Sequence, residues 1–427
     1  MRNADCELWR RSPRRAPKSS NSRLTQAPLH HDCCVVISEE EARAKILSAV
    51  ASLPATEVSL ADALDRFAAT ELFATIPLPP FDNSAMDGYA VRAESAGKNA
   101  RLKIIGEQPA GVSKNLSLLR GEAVRIFTGA PMPSGADAVV MQEETKHEDD
   151  LVLIEAEKIS VGDFVRKAGA DLAVGQQLLK RGDQLRPASL GLLASQGIES
   201  VCVGAQAAVA IVTTGDELAA PGQQPRAGEI FDSNGLMLAS LAAKTDVKVA
   251  MQRHCPDTFD TLCRTLLDAA QQDAVIISGG VSVGEHDLVR KALREIGAEI
   301  DLWRVAVKPG KPFLFGKRDR CFIFGLPGNP VSAFVTFLIF VRPALLQMMG
   351  AIDLGLPRAN ARLTHEITGD ETRPHYFRGE LADGVFTVIG RQESHAIFGL
   401  ARADALLRVR PKARLSAGSE VEVLLIH

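Results

Sequence analysis

The sequence predicts a multidomain protein of α/β and β regions. A doubly wound α/β domain stands at the centre, a helical and β domain with an inserted β-rich lid precedes it, and a C-terminal β-barrel follows. Three observations predict this. Between about 205 and 350, apolar runs of strand length alternate with helical stretches, as in a mostly parallel sheet with helices on both faces. From 92 to 159, and again from 355, short alternating strands are separated by Gly and Pro turns. The chain of 427 residues is long enough for about two to four domains. The expected partition is a disordered basic tail at 1–37, an N-terminal domain at 38–91 and 160–204, the lid at 92–159, the α/β domain at 205–350 and the barrel at 355–427.

The tail contains "WRRSPRRAPKSSNSR", basic and rich in Ser and Pro, without the apolar stretch a secretory signal needs. An amphipathic helix is expected in "SEEEARAKILSAV" (38–50), with Ser38 as N-cap and acids in the first turn. A second helix is expected over "SLADALDRFAATEL" (59–72). "IPLPPFDNSAMDGYAV" (76–91) is too rich in Pro, Asp and Asn to be helical. Its aspartates read as an Asx-type turn, and Met86 and Tyr89 beside Asp87 as a surface offered to a ligand or partner.

In the α/β region "AAVAIVTT", "VKVAMQR", "DAVIISGG", "EIDLWRVAV", "PFLFG" and "CFIFGL" read as strands. "SNGLMLASLAAKT", "DTFDTLCRTLLDAAQQ", "HDLVRKALREIG" and the apolar stretch 329–349 read as helices. The run "VSAFVTFLIFV" (331–341) meets Arg342 and Pro343 well short of the roughly 20 residues a membrane span needs, so it reads as a buried helix.

Composition narrows the function. With 46% hydrophobic and 24% charged residues the chain is ordinary for a globular protein, and its net charge of −3 argues against a broad nucleic-acid-binding surface. The seven cysteines (Cys6, Cys33, Cys34, Cys202, Cys255, Cys263, Cys321) form no C-x-x-C pair. That pattern fits a reducing, cytoplasmic setting better than a disulfide framework or structural zinc.

Four polar turns follow strands of the α/β region: "TTGDEL" (213–218), "SGGVSVGEHD" (278–287), "VKPGKPF" (307–313) and "GLPGNPVSA" (325–333). In a doubly wound sheet such turns meet on one rim. Their backbone N–H groups, with Lys308 and Lys311, suit phosphate or another oxyanion. Asp216, Glu217 and Asp287 suit Mg²⁺ held together with a ligand's phosphates. Residues 280–284 also spell G-x-S-x-G, so Ser282 could be a nucleophile; none of His286, His365, His375 and His395 stands in a convincing triad context.

Together "PPFDNSAMDGYAV", "IFTGAPMPSGADAVVMQEE", "TTGDEL", "GEIFDSNGLML", "SGGVSVGEHD", "VKPGKPFLFG" and "GLPGNPVSAFVTF" closely resemble the MoeA family of molybdopterin molybdenumtransferases, which includes the E domain of gephyrin. The resemblance covers roughly 38–427, in order and spacing. It implies a MogA-like central domain and the final step of molybdenum cofactor synthesis, in which molybdate enters adenylylated molybdopterin and AMP leaves in a Mg²⁺-dependent reaction. It implies too that the 280–284 loop holds a ligand and that the protein is a homodimer working between a MogA-like adenylyltransferase and recipient molybdoenzymes.

Residue by residue, the resemblance assigns catalysis to Asp87, Glu217, Asp287 and Lys308, and metal binding to Asp87, Glu217, Asp257 and Asp287. Pterin and AMP binding fall to Gly215, Asp216, Ser278, Gly279, Gly280, Ser282, Gly284, Pro327, Gly328 and Asn329. Molybdate falls to Lys308, Lys311, Ser332, Arg378 and Ser394. Asp171 in "KAGADL" also matches, although Ala170 departs from the family pattern, and Asp257 lacks the paired aspartate expected beside it. The alternative reading is a non-catalytic scaffold or a molybdopterin-binding relative.

Overall fold

Strand Ala208–Thr214 carries the logic of the central sheet in its side chains. Val209 and Ile211 are buried with helix Ser233–Lys244 and the long apolar helix on one face. Ala210 and Val212 are buried with helices Phe259–Ala269 and Leu288–Glu295 on the other. A strand apolar on both faces needs a helical layer on each side, and this one has both.

A computed structural model describes residues 36–281 and 288–426. The sheet has seven strands in the order Ile37–Ser38, Glu299–Ala306, Pro312–Arg318, Cys321–Leu326, Ala274–Ser278, Ala208–Thr214, Lys248–Cys255. All pairings are parallel except those of Pro312–Arg318, which runs against both neighbours. The six strands expected from 205 onward are all present. Ile37, assigned to the tail by sequence, instead pairs with Val305 at the sheet edge.

Ser38 caps helix Glu39–Ala49 with the expected reciprocal pair of bonds to Glu41. The second expected helix does not form. Ser59 caps a single 3-10 turn, Leu60–Asp62, and the backbone beyond it bonds elsewhere: Asp65 N to Leu185 O, Ala68 N to Asp183 O and Ala69 N to Cys202 O. Tertiary pairing outweighs a helical pattern whose residue propensities differ by only tenths of a kcal/mol.

A six-stranded sheet is built from Ala138–Met141, Gly88–Val91, Glu122–Ile126, Arg101–Gln108, Leu151–Ile154 and Thr145–Glu148. Gly88–Val91, placed by sequence in the first region, is therefore one of its inner strands. Tyr89 points inward from it, buried, with its hydroxyl 3.2 Å from His147 Nδ1. Tyr89 is thus a core residue and not the presented surface expected from sequence; Met86 is exposed.

The apolar stretch after 329 forms one continuous helical rod, Pro330–Met348, passing through Arg342 and Pro343. A π-helical turn, Phe337–Val341, precedes Pro343 and accommodates its missing N–H. Length and composition would let this rod cross a membrane, but 89% of its apolar window is buried inside the protein, with Phe340 against Phe313 at 4.7 Å between ring centroids. Each such buried ring contributes roughly 1.5–3 kcal/mol. Beyond the rod, Arg358–Leu363, Val385–Val388, His375–Ala382, Ala405–Val409 and Glu420–Leu425 close into a five-stranded barrel.

Candidate functional site

From strand Ala208–Thr214 the chain crosses to one neighbour, Lys248–Cys255, and then to the other, Ala274–Ser278. The reversal opens a crevice beyond the carboxyl ends of the strands. A cavity of about 390 Å³ lies there, lined among others by Gly215, Glu217, Asn234, Asp257, Ser278, Gly279, Gly280, Pro327, Gly328 and Asn329. Most of the residues assigned to pterin and nucleotide binding therefore share one cavity.

Backbone proximity shapes its floor. Gly279 has φ +98°, and a Cβ there would stand 2.2 Å from the carbonyl oxygen of Thr214, so only glycine fits. Asn234, in the first turn of helix Ser233–Lys244, donates to Ser278 Oγ at 2.9 Å and to Gly328 O at 2.7 Å. It clamps the ends of two strands together. Its Oδ1 is buried without a partner among the described residues.

The acidic wall is organised by hydrogen bonds. Asp257 accepts from Thr214 Oγ1, and Asp257 N donates to Asp216 Oδ1 at 2.9 Å. Asp232 accepts from Thr213 Oγ1 at 2.6 Å and caps the Asn234 helix through Gly235 N. Glu217 and Asp257 remain exposed at the cavity wall. Among the described residues no three His, Cys, Asp or Glu side chains gather to hold a metal unaided. Two carboxylates on the wall beside a glycine floor nevertheless fit Mg²⁺, which takes one or two carboxylates and completes its shell with ligand oxygens and water. Ser282, Gly284 and Asp287 lie outside the described residues.

The antiparallel strand Pro312–Arg318 brings the Lys308–Lys311 turn to the same rim. Barrel segments meet it there. Lys308 N donates to Pro374 O at 2.9 Å, and Tyr376 N donates to Lys308 O at 2.8 Å, so Lys308 joins the edge of the barrel strand. Its ammonium lies 3.2 Å from Asp370 Oδ2. The Thr372 N–H, together with Lys308 and Arg373, holds the Asp370 carboxyl well below the usual carboxylate range. His375, buried beside this pair, is pushed down to about 4 by burial and by Lys308. Lys311 is exposed, and Ser332 is buried in the first turn of the apolar rod.

Ser394 accepts from Asn329 Nδ2 at 2.9 Å, and its carbonyl accepts from Val331 N at 3.1 Å. Arg378 is fully buried, its Nη2 donating to the carbonyls of Arg391 and Glu393. Its Nε and Nη1 have no partner among the described residues. It supports the loop that carries Ser394 and does not open onto the cavity.

Asp87 stands apart and is not among the residues lining the cavity. Its Oδ1 accepts from the backbone N and the hydroxyl of Thr128, both at 2.8 Å, and these bonds hold the carboxyl below its ordinary range. Sequence reasoning missed Asn234 and Asp370. The signal for the first was the cap sequence "FDSNG"; for the second it was the D-x-T turn of "GDETRP".

Comparison with known proteins agrees over the whole described chain. Residues 37–197 match the MoeA N-terminal region (domain I and II), 210–347 a probable molybdopterin binding domain, and 360–426 the MoeA C-terminal region (domain IV). The molybdopterin molybdenumtransferase of Haemophilus influenzae is 34% identical over 403 residues, covering 91% of this chain and 98% of the relative. That of a Nostoc species is 38% identical over 384 residues, covering 86% and 88%. A crystal structure of a molybdopterin biosynthesis MoeA protein from Pyrococcus horikoshii superposes with a TM-score of 0.77 at 32% identity, covering 92% of this chain and 99% of that one.

Proposed function

The chain belongs to the MoeA family of molybdopterin molybdenumtransferases, and from that premise we propose that it inserts molybdate into adenylylated molybdopterin with release of AMP. The observation carrying this reading is the switch-point cavity itself. Its glycine floor suits a pyrophosphate, its wall offers Glu217 and Asp257, and its far edge at Asn329 touches the barrel loop of Ser394.

Glu217 and Asp257, with Asp287 and Asp87 by resemblance, would hold Mg²⁺. Bound with the ligand's phosphates, Mg²⁺ would neutralise the charge that develops as the linkage breaks. Either water attacks the adenylyl phosphorus, the bond to the bridging oxygen breaks and the pterin phosphate leaves on that oxygen with the water's proton, giving AMP; or a molybdate oxygen attacks the pterin phosphorus and AMP leaves on the bridging oxygen. Gly215, Ser278, Gly279, Gly280, Pro327, Gly328 and Asn329 cradle the nucleotide and pterin. Lys308, Lys311, Ser332 and Ser394 orient molybdate, a dianion suited to charge-assisted hydrogen bonds. Arg378 supports this end of the site through the Ser394 loop.

The reading extends to a homodimer in the cytoplasm, supplied by a MogA-like adenylyltransferase and serving molybdoenzymes. Asp87 lies away from the cavity lining, so a second copy's Asp87 completing the site accounts for its assignment. Mixed dimers of Asp87→Ala and Lys308→Ala subunits should then recover activity through one intact site.

The test is to incubate purified protein with adenylylated molybdopterin, molybdate and Mg²⁺ and to follow AMP. Release that depends on both molybdate and Mg²⁺ is expected. Binding of the pterin without AMP release would favour the non-catalytic relative instead.

A further inference from the structure

Lys308 does not stand free in this structure. Its ammonium is 3.2 Å from Asp370 Oδ2, and the Asp370 carboxylate is itself fixed from the other side. Asp370 Oδ1 accepts from Thr372 N at 3.0 Å, from Thr372 Oγ1 at 3.2 Å and from Arg373 N at 3.2 Å. The turn presents its second oxygen to Lys308 and, at 3.7 Å, to the guanidinium of Arg373; the Lys308 backbone is bonded to the strand that follows the same turn. Carboxylate and ammonium are therefore both built into the barrel edge, with Asp370 the more enclosed partner at 15% side-chain exposure against 40% for Lys308.

We infer that Asp370 is an internal competitor anion for Lys308: it occupies the ammonium in the ligand-free protein, and an entering tetrahedral oxyanion must take Lys308 from it. Two charge effects act in the same direction. The carboxylate neutralises the lysine, and it repels a dianion that approaches within a few ångströms. Pre-ordering of the lysine by Asp370 would work oppositely, but immobilising one side chain is a smaller effect than a full charge beside a dianion. Asp370 therefore weakens oxyanion binding at this end of the rim and sets how much oxyanion is needed to fill it. The inference rests on the proposed function for placing molybdate at Lys308.

Molybdate binding to the full chain, measured by equilibrium dialysis without pterin, tests this. Asp370→Asn keeps the oxygen that accepts from Thr372 and Arg373 and removes the charge. It should tighten molybdate binding by about tenfold. Lys308→Ala should cost only a few-fold in the wild-type background, where the lysine is already paired, and remove most of the gain in the Asp370→Asn background, with Arg373, the more distant partner of the same oxygen, keeping the remainder. A structural role for Asp370 would not tighten binding. Weaker or unchanged binding in Asp370→Asn, equal cost of Lys308→Ala in both backgrounds, or no molybdate uptake by any variant overturns the inference. A wild-type protein that binds molybdate in this pattern but releases no AMP overturns the proposed function instead.

Discussion

Asn329 Nδ2 donates to Ser394 Oγ at 2.9 Å, joining the turn at the switch point of the α/β sheet to a loop of the C-terminal barrel. Val331 N to Ser394 O, at 3.1 Å, doubles the link. One residue assigned to the nucleotide end of the site thus touches one assigned to molybdate. The two halves of the proposed site are held in register by a contact between segments that are distant in sequence.

Ser394→Ala removes the side-chain bond and leaves the backbone bond. A neutral hydrogen bond of this kind contributes about 0.5–1.5 kcal/mol. The molybdate KM should rise by about two- to tenfold, and Asn329→Ala should add little to that loss, because both variants break the same bond. Steady-state kinetics of the two single variants and the double variant would check it; full additivity would separate the two residues.

Gly279→Ala should be severe. The added Cβ would sit 2.2 Å from Thr214 O at φ +98°, so strain and a backbone clash add together. Each effect costs roughly 1–3 kcal/mol. Denaturant unfolding should show the loss of stability, and nucleotide binding should fall more than at Gly328→Ala, where the nearest contact to a Cβ is an ordinary 3.7 Å.

How much of this was legible in the sequence depends on where each backbone group finds its partner. Strands such as Ala274–Ser278 were readable because an apolar run ending in a glycine turn has few other fates. The stretch 59–72 was misread because its partners, Asp183, Leu185 and Cys202, lie far along the chain and no local pattern announces them. The same division holds in the site. The glycine and proline turns encode their own shape, so the cavity was foreseeable. The Lys308–Asp370 pair joins a turn of the α/β region to the barrel edge, and the burial of Arg378 depends on a loop that folds over it. Those contacts are properties of the assembled fold.

Glu39 shows the same long reach. It accepts from Tyr376 Oη at 2.6 Å and from Arg408 Nε at 3.0 Å, bonding the first helix to the barrel. Glu39→Ala would leave Tyr376, which is buried, and the mostly buried Arg408 without that acceptor. Breaking a buried pair costs about 3–5 kcal/mol, and the partial exposure of Arg408 brings the expectation nearer to about 2 kcal/mol. Urea unfolding should register it, while Glu40→Ala, on the exposed side of the same arginine, should cost under about 1 kcal/mol.

Acid should destabilise the barrel edge through His375. Its folded-state value is pushed down to about 4, from an ordinary 6.5, by burial first and Lys308 second. The unfolded chain therefore binds a proton that the folded chain refuses as pH falls from about 6.5 to 4, so stability declines across that window and levels off below it. The full effect is on the order of 3 kcal/mol. Asp370, held below the ordinary carboxylate value, contributes stability that is present above 3.8 and lost as pH falls further, so the two windows are separable. His375→Gln should flatten unfolding free energy between pH 6.5 and 4 and leave the lower window intact; an unchanged slope would remove His375 from the account.

Asp257 and Lys311 are the residues by which the proposed metal end and the proposed molybdate end of the rim can be told apart. Asp257 sits on the cavity wall, accepting from Thr214 Oγ1. Asp257→Asn keeps an oxygen for that bond and removes the charge, so Mg²⁺ affinity and AMP release should both fall, and added Mg²⁺ should partly restore release. Lys311 is exposed at the start of the strand beside the rim, and its replacement by Ala removes a charge-assisted bond to an oxyanion, about 1.5–3 kcal/mol. That corresponds to about one to two decades in molybdate affinity. Excess molybdate should restore turnover in Lys311→Ala and do nothing for Asp257→Asn, while excess Mg²⁺ should do the reverse. AMP release titrated with each ion in turn decides the matter, because rescue of both variants by the same ion would leave no division of labour between the two ends of the rim.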